Sequence, residues 1–169
     1  MRDEGFREFV TSCAPALSRT AYLLTGDHHL AEDLLQSALA NCHRHWRRIR
    51  HDNPAAYVRR AMHREHISWW RRRRPPERLL GVPDPDRAAP GDLAEQATLR
   101  LTMTGALAVL TPRQRAVVVL RFYDDLTEAE TARVLGCTVG TVKRHGHDAL
   151  ARLRAHLPGA FAEHTEVPS

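Results

Sequence analysis

Between Arg74 and Leu93 the chain carries Pro75, Pro76, Pro83, Pro85 and Pro90, together with Gly81 and Gly91. Proline lacks the amide hydrogen that a helix or sheet needs, and glycine loses the most backbone entropy on ordering, so this stretch cannot continue a regular element. Whatever folds must be built from the sequence on either side of it. The charge also changes sign here: Arg71, Arg72, Arg73 and Arg74 are followed by Asp84, Asp86 and Asp92. The stretch reads as a linker. With 169 residues in all, each flank is long enough for one small domain.

Both flanks are patterned as helices. In the first, Phe6, Phe9, Val10, Cys13 and Leu17 recur at helical spacing. Gly26 punctuates the chain, and Asp27 can cap a second helix whose apolar stripe is Ala31, Leu34, Leu35, Ala38 and Leu39, with Glu32, Asp33 and Gln36 opposite. Asn53-Pro54 is a cap residue followed by proline at the first helical position. It opens a helix with Val58, Ala61, Met62 and Trp69 on one side and Arg59, Arg60, His63 and Arg64 largely on the others. In the second flank, Leu99, Met103, Ala106, Leu107 and Leu110 form a stripe, and Thr111-Pro112 opens a helix through Val117 and Leu120. No alternating pattern of useful length suggests a strand. The expected fold is all-α: two small helical domains at 1–74 and 94–157, a Pro/Asp-rich linker at 75–93 and a flexible tail at 158–169.

The strongest local pattern runs from Thr127 to Leu153. Thr127 and Glu130 have the spacing of a capping box, in which each side chain satisfies a backbone donor at the helix start. Ala132 is small where two helices approach, Gly136 suits a left-handed turn, and Thr138 can cap the next helix. Val142 would lock that helix onto its neighbour, with Ala149, Leu150 and Leu153 also inward. Thr141, Lys143, Arg144, His145 and His147 are then left facing outward near its N-terminus. This is helix-turn-helix geometry, and such a helix presents that end to base edges and phosphates. A formal charge of +5 and a pI near 9.7 favour a polyanionic partner. In the first flank, Tyr57 to Arg74 adds arginines for phosphate and aromatic rings that can stack on unpaired bases. A membrane surface would use the same arginines, but they adjoin tryptophans needed for packing.

Other chemistries find little support. Cys13, Cys42 and Cys137 form no C-x-x-C pair, and their odd number argues against a secreted disulfide framework. The opening residues Met1 to Gly5 lack the apolar core of a signal peptide, and no run is long enough to span a bilayer, so a cytoplasmic protein without membrane insertion is expected. The 11 histidines include His43-x-His45, His63-x-x-His66 and His145-x-His147, but no H-E-x-x-H accompanies them. They are expected on the surface, with no metal site. No glycine-rich phosphate loop or Ser/His/Asp arrangement appears, so neither a catalytic residue nor a cofactor is expected.

Taken in order, these segments resemble the extracytoplasmic-function (ECF) sigma factors of the sigma-70 superfamily, especially the actinobacterial SigE family. Asp27 to Gln36 is similar to the family's polymerase-binding helix, and Asn53 to Arg74 to its −10-reading segment. Leu110-Thr111-Pro112-Arg113-Gln114-Arg115-Ala116 and Val117 to Arg121 resemble the opening of sigma domain 4. Leu135 to Lys143 resembles its −35-reading turn and helix. The resemblance extends to about Leu157 and implies sigma domains 2 and 4 without the extra domains of larger relatives.

That resemblance implies partners and roles. Glu32, Asp33, Leu35, Gln36 and Leu39 would belong to the core-polymerase-binding helix, with Asp33 and Gln36 docking on the β′ clamp and Leu34 and Leu35 supporting from within. Arg50, His51, Asn53, Tyr57, Arg60, Arg64 and Arg71 would contact the −10 element and capture an unstacked base. Arg113, Thr138, Thr141, Lys143, Arg144, His145, His147 and Asp148 would contact the −35 element. The implied partners are core RNA polymerase, through its β′ clamp and β flap, and promoter DNA, with an anti-sigma factor as a further candidate. The free protein would be a monomer, and the holoenzyme 1:1. Four positions depart from many relatives: Arg64 stands where asparagine is common, Arg144 where serine is common, and His145 and Asp148 where arginine is common. An alternative use of the same parts is a two-domain DNA-binding regulator that acts without polymerase.

Overall fold

In a computed structural model of the chain, residues 4–72 and 103–157 are described. The expected linker at 75–93, the tail at 158–169, and Arg73, Arg74 and Leu99 lie outside them. The described residues form α1 (Glu4–Thr25), α2 (His28–Arg44), the single turn α3 (Trp46–Ile49) and α4 (Pro54–Arg72). The second half begins with α5, described over 103–108, and continues with α6 (Pro112–Val118), a π-helical turn (Val119–Tyr123), α7 (Glu128–Leu135) and α8 (Val139–His156). The described residues contain no strand.

The helix boundaries follow the local chemistry. Asp27 accepts from the Leu30 amide at 2.9 Å and Asn53 Oδ1 from the Ala56 amide at 3.0 Å. Thr111 with Gln114, and Thr127 with Glu130, close reciprocal capping boxes at the starts of α6 and α7. Thr138 caps α8 by accepting from the Thr141 amide. Gly136 ends α7 at φ 64°, ψ 39°, where a side chain would be strained. Pro15 lies inside α1, and the helix continues through it. Burial of Leu17, Ala21 and Leu24 just beyond offsets the lost hydrogen bond.

Leu17, Ala21 and Leu24 of α1 pack with Leu34, Ala38 and Cys42 of α2 and with Val58 and Met62 of α4. Ala116 and Val119 of the second half complete this same cluster, so the two halves share apolar packing. A second cluster joins Leu107 and Leu110 to Ala149 and Leu153 of α8. A third, Val117, Ala132 and Val142, fastens the two helices of the helix-turn-helix to α6.

Two expectations are corrected. His63 and His66, expected on the surface, are fully buried at 0% and 1% exposure, because the second half covers that side of α4. Met103, expected in an apolar stripe, is 48% exposed. Trp69 packs half-buried against the core, on the side of α4 where it was expected, while Trp70 faces solvent.

Candidate polymerase and nucleic-acid interfaces

The first candidate surface is the outer face of α2. Burial of Ala31, Leu34, Leu35 and Ala38 fixes its rotation and leaves Glu32, Asp33 and Gln36 exposed. Gln36 donates to Glu32 at 3.2 Å, one helical turn away. Leu35 lies in the core at 9% exposure, so its part is to hold the helix from within. Leu39 is half-buried at the edge of that core.

Between α2 and α4 lies an open groove of about 1000 Å³. It brings together Tyr57, Arg60, Arg64 and Arg72, all in the stretch expected from sequence to meet nucleic acid, with Arg44, which was not expected. Asn41 and Ser68 add polar groups, and Glu65 supplies the carboxylate on the wall. Four arginines and a tyrosine ring in one groove suit a single strand: guanidinium groups for phosphate, and an aromatic face for an unpaired base. Arg50, His51 and Asn53 are exposed in the turn between α3 and α4 and do not line the groove, and Asn53 Oδ1 is occupied by its cap. Arg71 is exposed at the end of α4, also off the groove. Periodicity within α4 could not reveal Arg44, which α2 contributes from across the groove.

The third surface is the N-terminal part of α8. The Thr138 and Thr141 hydroxyls share a 2.9 Å hydrogen bond. Lys143 is exposed and sits 3.7 Å from Glu128 of α7, a pair too open to solvent to hold it firmly. Arg144, His147 and Asp148 are exposed. His145 is half-buried, and burial with the neighbouring Arg144 and Arg113 cations lowers its pKa against the pull of Asp148, so the ring is neutral near pH 7. Arg113 reaches this cluster from α6. Exposed cations beside a helix N-terminus, where backbone amides and the helix dipole favour anions, form a phosphate-binding end.

No group of three or more His, Cys, Asp or Glu side chains suited to a metal occurs among the described residues. No described helix is long and apolar enough to cross a membrane.

Comparison with known proteins assigns both halves to one family. Residues 9–75 match sigma-70 region 2, and residues 106–155 match sigma-70 region 4. The chain is 41% identical over 157 residues to the RNA polymerase sigma-E factor of Streptomyces coelicolor, covering 90% of this chain and 85% of that protein. It is 34% identical over 149 residues to the ECF RNA polymerase sigma factor SigL of Mycobacterium tuberculosis, covering 85% and 84%. Among solved structures, the sigma factor RpoE in complex with the anti-sigma factor NepR from Bartonella quintana superposes with a TM-score of 0.66. That match is 24% identical and covers 91% of this chain and 97% of that one, a likeness of fold.

The chain belongs to the ECF sigma factors of the sigma-70 superfamily. It is an RNA polymerase sigma factor, which binds core polymerase and directs promoter-specific initiation of transcription. The alternative of a regulator acting without polymerase gives way to this membership.

Proposed function

We propose that this sigma factor divides its work among the three surfaces. The exposed Glu32, Asp33 and Gln36 face of α2 docks on the β′ clamp, with Leu35 and Leu39 bracing the helix. The groove between α2 and α4 receives an unstacked base of the −10 element. Tyr57, Arg60 and Arg64 work there with Arg44 and Arg72, while Arg50, His51, Asn53 and Arg71 contact the DNA around it. Arg113, Thr138, Thr141, Lys143, Arg144, His145, His147 and Asp148 meet the −35 element in the major groove, and the second half also meets the β flap. In this reading the domains are 1–74 and 94–157, with 75–93 spanning between them and 158–169 as a tail.

The observation that carries this reading is the convergence of Arg44, Tyr57, Arg60, Arg64 and Arg72 on one groove. A base leaves the stack at a cost of a few kcal/mol, and an aromatic and cationic pocket offsets that cost. Arg64 in place of the common asparagine, and Asp148 near the recognition helix, point to promoter elements unlike those of many relatives. An aspartate can accept from cytosine N4 where an arginine would seek guanine.

The protein acts in the cytoplasm, as a monomer when free and 1:1 with core polymerase. It performs no catalysis of its own and needs no cofactor. An anti-sigma factor is a further partner in this reading, since the solved relative RpoE is held by one.

The test is abortive transcription by reconstituted holoenzyme. Arg60→Ala is expected to lower open-complex formation about tenfold without changing core binding, the loss of one charged groove contact. Unchanged open-complex formation would remove the groove from −10 recognition.

A further inference from the structure

The inner stripe of α8 includes Val142 and Ala149, buried at 1% and 0% exposure. His145 comes three residues after the first and four before the second, at the edge of that stripe, and its ring is half-buried. At the adjoining Gly146 an added Cβ would lie 3.7 Å from Val117 Cγ1, so this turn of α8 rests directly on α6. Two cations act on the ring: Arg144 beside it in sequence, and Arg113 from the first turn of α6. Asp148, one turn further along α8, is the carboxylate that opposes them. Glu128, the nearest acid of α7, is turned to Lys143 instead.

Within this cluster an arginine keeps its proton throughout the physiological range, and an imidazole need not. In the free chain, burial first and then Arg144 and Arg113 oppose a charge on His145, and together they outweigh Asp148. Duplex DNA reverses that balance. Phosphates that meet Arg113 and Arg144 cancel the repulsion these cations exert on the ring, and attract an imidazolium themselves. A protonated ring also gives phosphate a charge-assisted hydrogen bond, which is stronger than one from the neutral ring.

We propose that binding of duplex DNA by α8 draws a proton onto His145, so that the proton is a co-ligand of the −35 contact. The charged ring binds phosphate better than the neutral one, so affinity rises as the pH falls. A single proton limits the gain to about tenfold per pH unit. Occupancy of the −35 element then follows acidity as well as protein concentration. An arginine in the same place would bind without this dependence. The coupling rests on the assignment of α8 to the −35 duplex made above.

The test is calorimetric titration of the full chain with a pool of random-sequence duplexes of about 25 base pairs. Affinity is measured at pH 8 and pH 6 at one ionic strength, and proton uptake is counted at pH 7 in two buffers of different protonation enthalpy. The wild type should gain about tenfold in affinity from pH 8 to pH 6, and take up a fraction of a proton that His145→Gln does not. Exposed histidines such as His147 add the same background to both chains, so the difference belongs to position 145. His145→Arg carries its charge throughout, and should bind at pH 8 about as tightly as the wild type does at pH 6. A merely structural role for the ring would not produce that gain. Equal proton uptake by the wild type and His145→Gln overturns the coupling and leaves the −35 assignment in place. If His145→Gln does not fold, wild-type affinity of His145→Arg at pH 8 overturns it as well. Arg144→Ala tests the assignment beneath: if its affinity and salt dependence match the wild type, the duplex does not rest on α8, and the coupling falls with the −35 assignment.

Discussion

The two halves offer nucleic acid two different kinds of surface. The first half presents a groove walled by two helices, with arginines and a tyrosine converging from both. The second presents one end of one helix, carried on a turn that Thr127, Gly136 and Thr138 fix almost completely. A groove can enclose a base that has left its stack, and a helix end can probe the edges of bases still paired. They differ also in freedom. Arg64 of the groove is tied to α7, whereas Arg144 and His147 of the recognition helix are exposed to solvent. One surface stands clear of the rest of the fold, and the other shares an arginine with the junction between the halves.

The contrast breaks most severely at Arg115. Arg115→Ala would leave the Leu24 and Leu107 carbonyls without their cation, and is expected to cost about 3 kcal/mol. Urea unfolding should show this as a lower midpoint, with the halves beginning to unfold separately. A single transition at the wild-type midpoint would mean that Arg115 does not join them.

Acidification should weaken the same junction by an amount of similar order. Burial lowers the pKa of His66 to about 3, with Arg115 and His63 adding repulsion. Burial also lowers that of His63 more than Asp124 raises it, with Arg59 opposing the charge as well. The folded state thus prefers both rings neutral, while the unfolded chain takes up protons below its ordinary histidine value of 6.5. The stability they lend is fully present above about pH 6.5 and is lost as the pH falls toward 3, by on the order of a few kcal/mol. Denaturation midpoints that stay flat from pH 7 to pH 4 would argue that these rings are solvated.

A smaller effect separates polymerase docking from DNA contact. Asp33→Ala with Gln36→Ala should weaken core binding by about 1–3 kcal/mol while leaving helicity and oligonucleotide affinity alone. Holoenzyme assembly at the wild-type affinity would take this face out of the docking surface. The smallest effect concerns the recognition helix: Lys143→Ala or Arg144→Ala should each reduce the salt dependence of duplex binding by about one unit of slope. Unaltered slopes in both would show that α8 does not meet phosphate.

What the sequence disclosed was local. Caps at Asp27, Asn53, Thr111, Thr127 and Thr138, and the turn at Gly136, each depend on residues within one turn of chain, and all are found where they were expected. Helix rotation was legible wherever an apolar stripe was unbroken, as in α2. The contacts between halves were not. His63 and His66 read as surface and Arg115 falls in no apolar stripe, and only partners 61 and 91 residues away in sequence, Asp124 for His63 and Leu24 for Arg115, meet the polar groups so buried. The groove was half legible for the same reason. Tyr57, Arg60 and Arg64 lie along one helix, but Arg44 faces them from another.

Binding to core RNA polymerase, followed by mapping of transcript starts with the reconstituted holoenzyme, tests the whole reading most directly. A 1:1 complex that initiates at discrete new sites, each preceded by two shared sequence elements, is the expected result. Failure to bind core polymerase while duplex DNA binding is retained would contradict it.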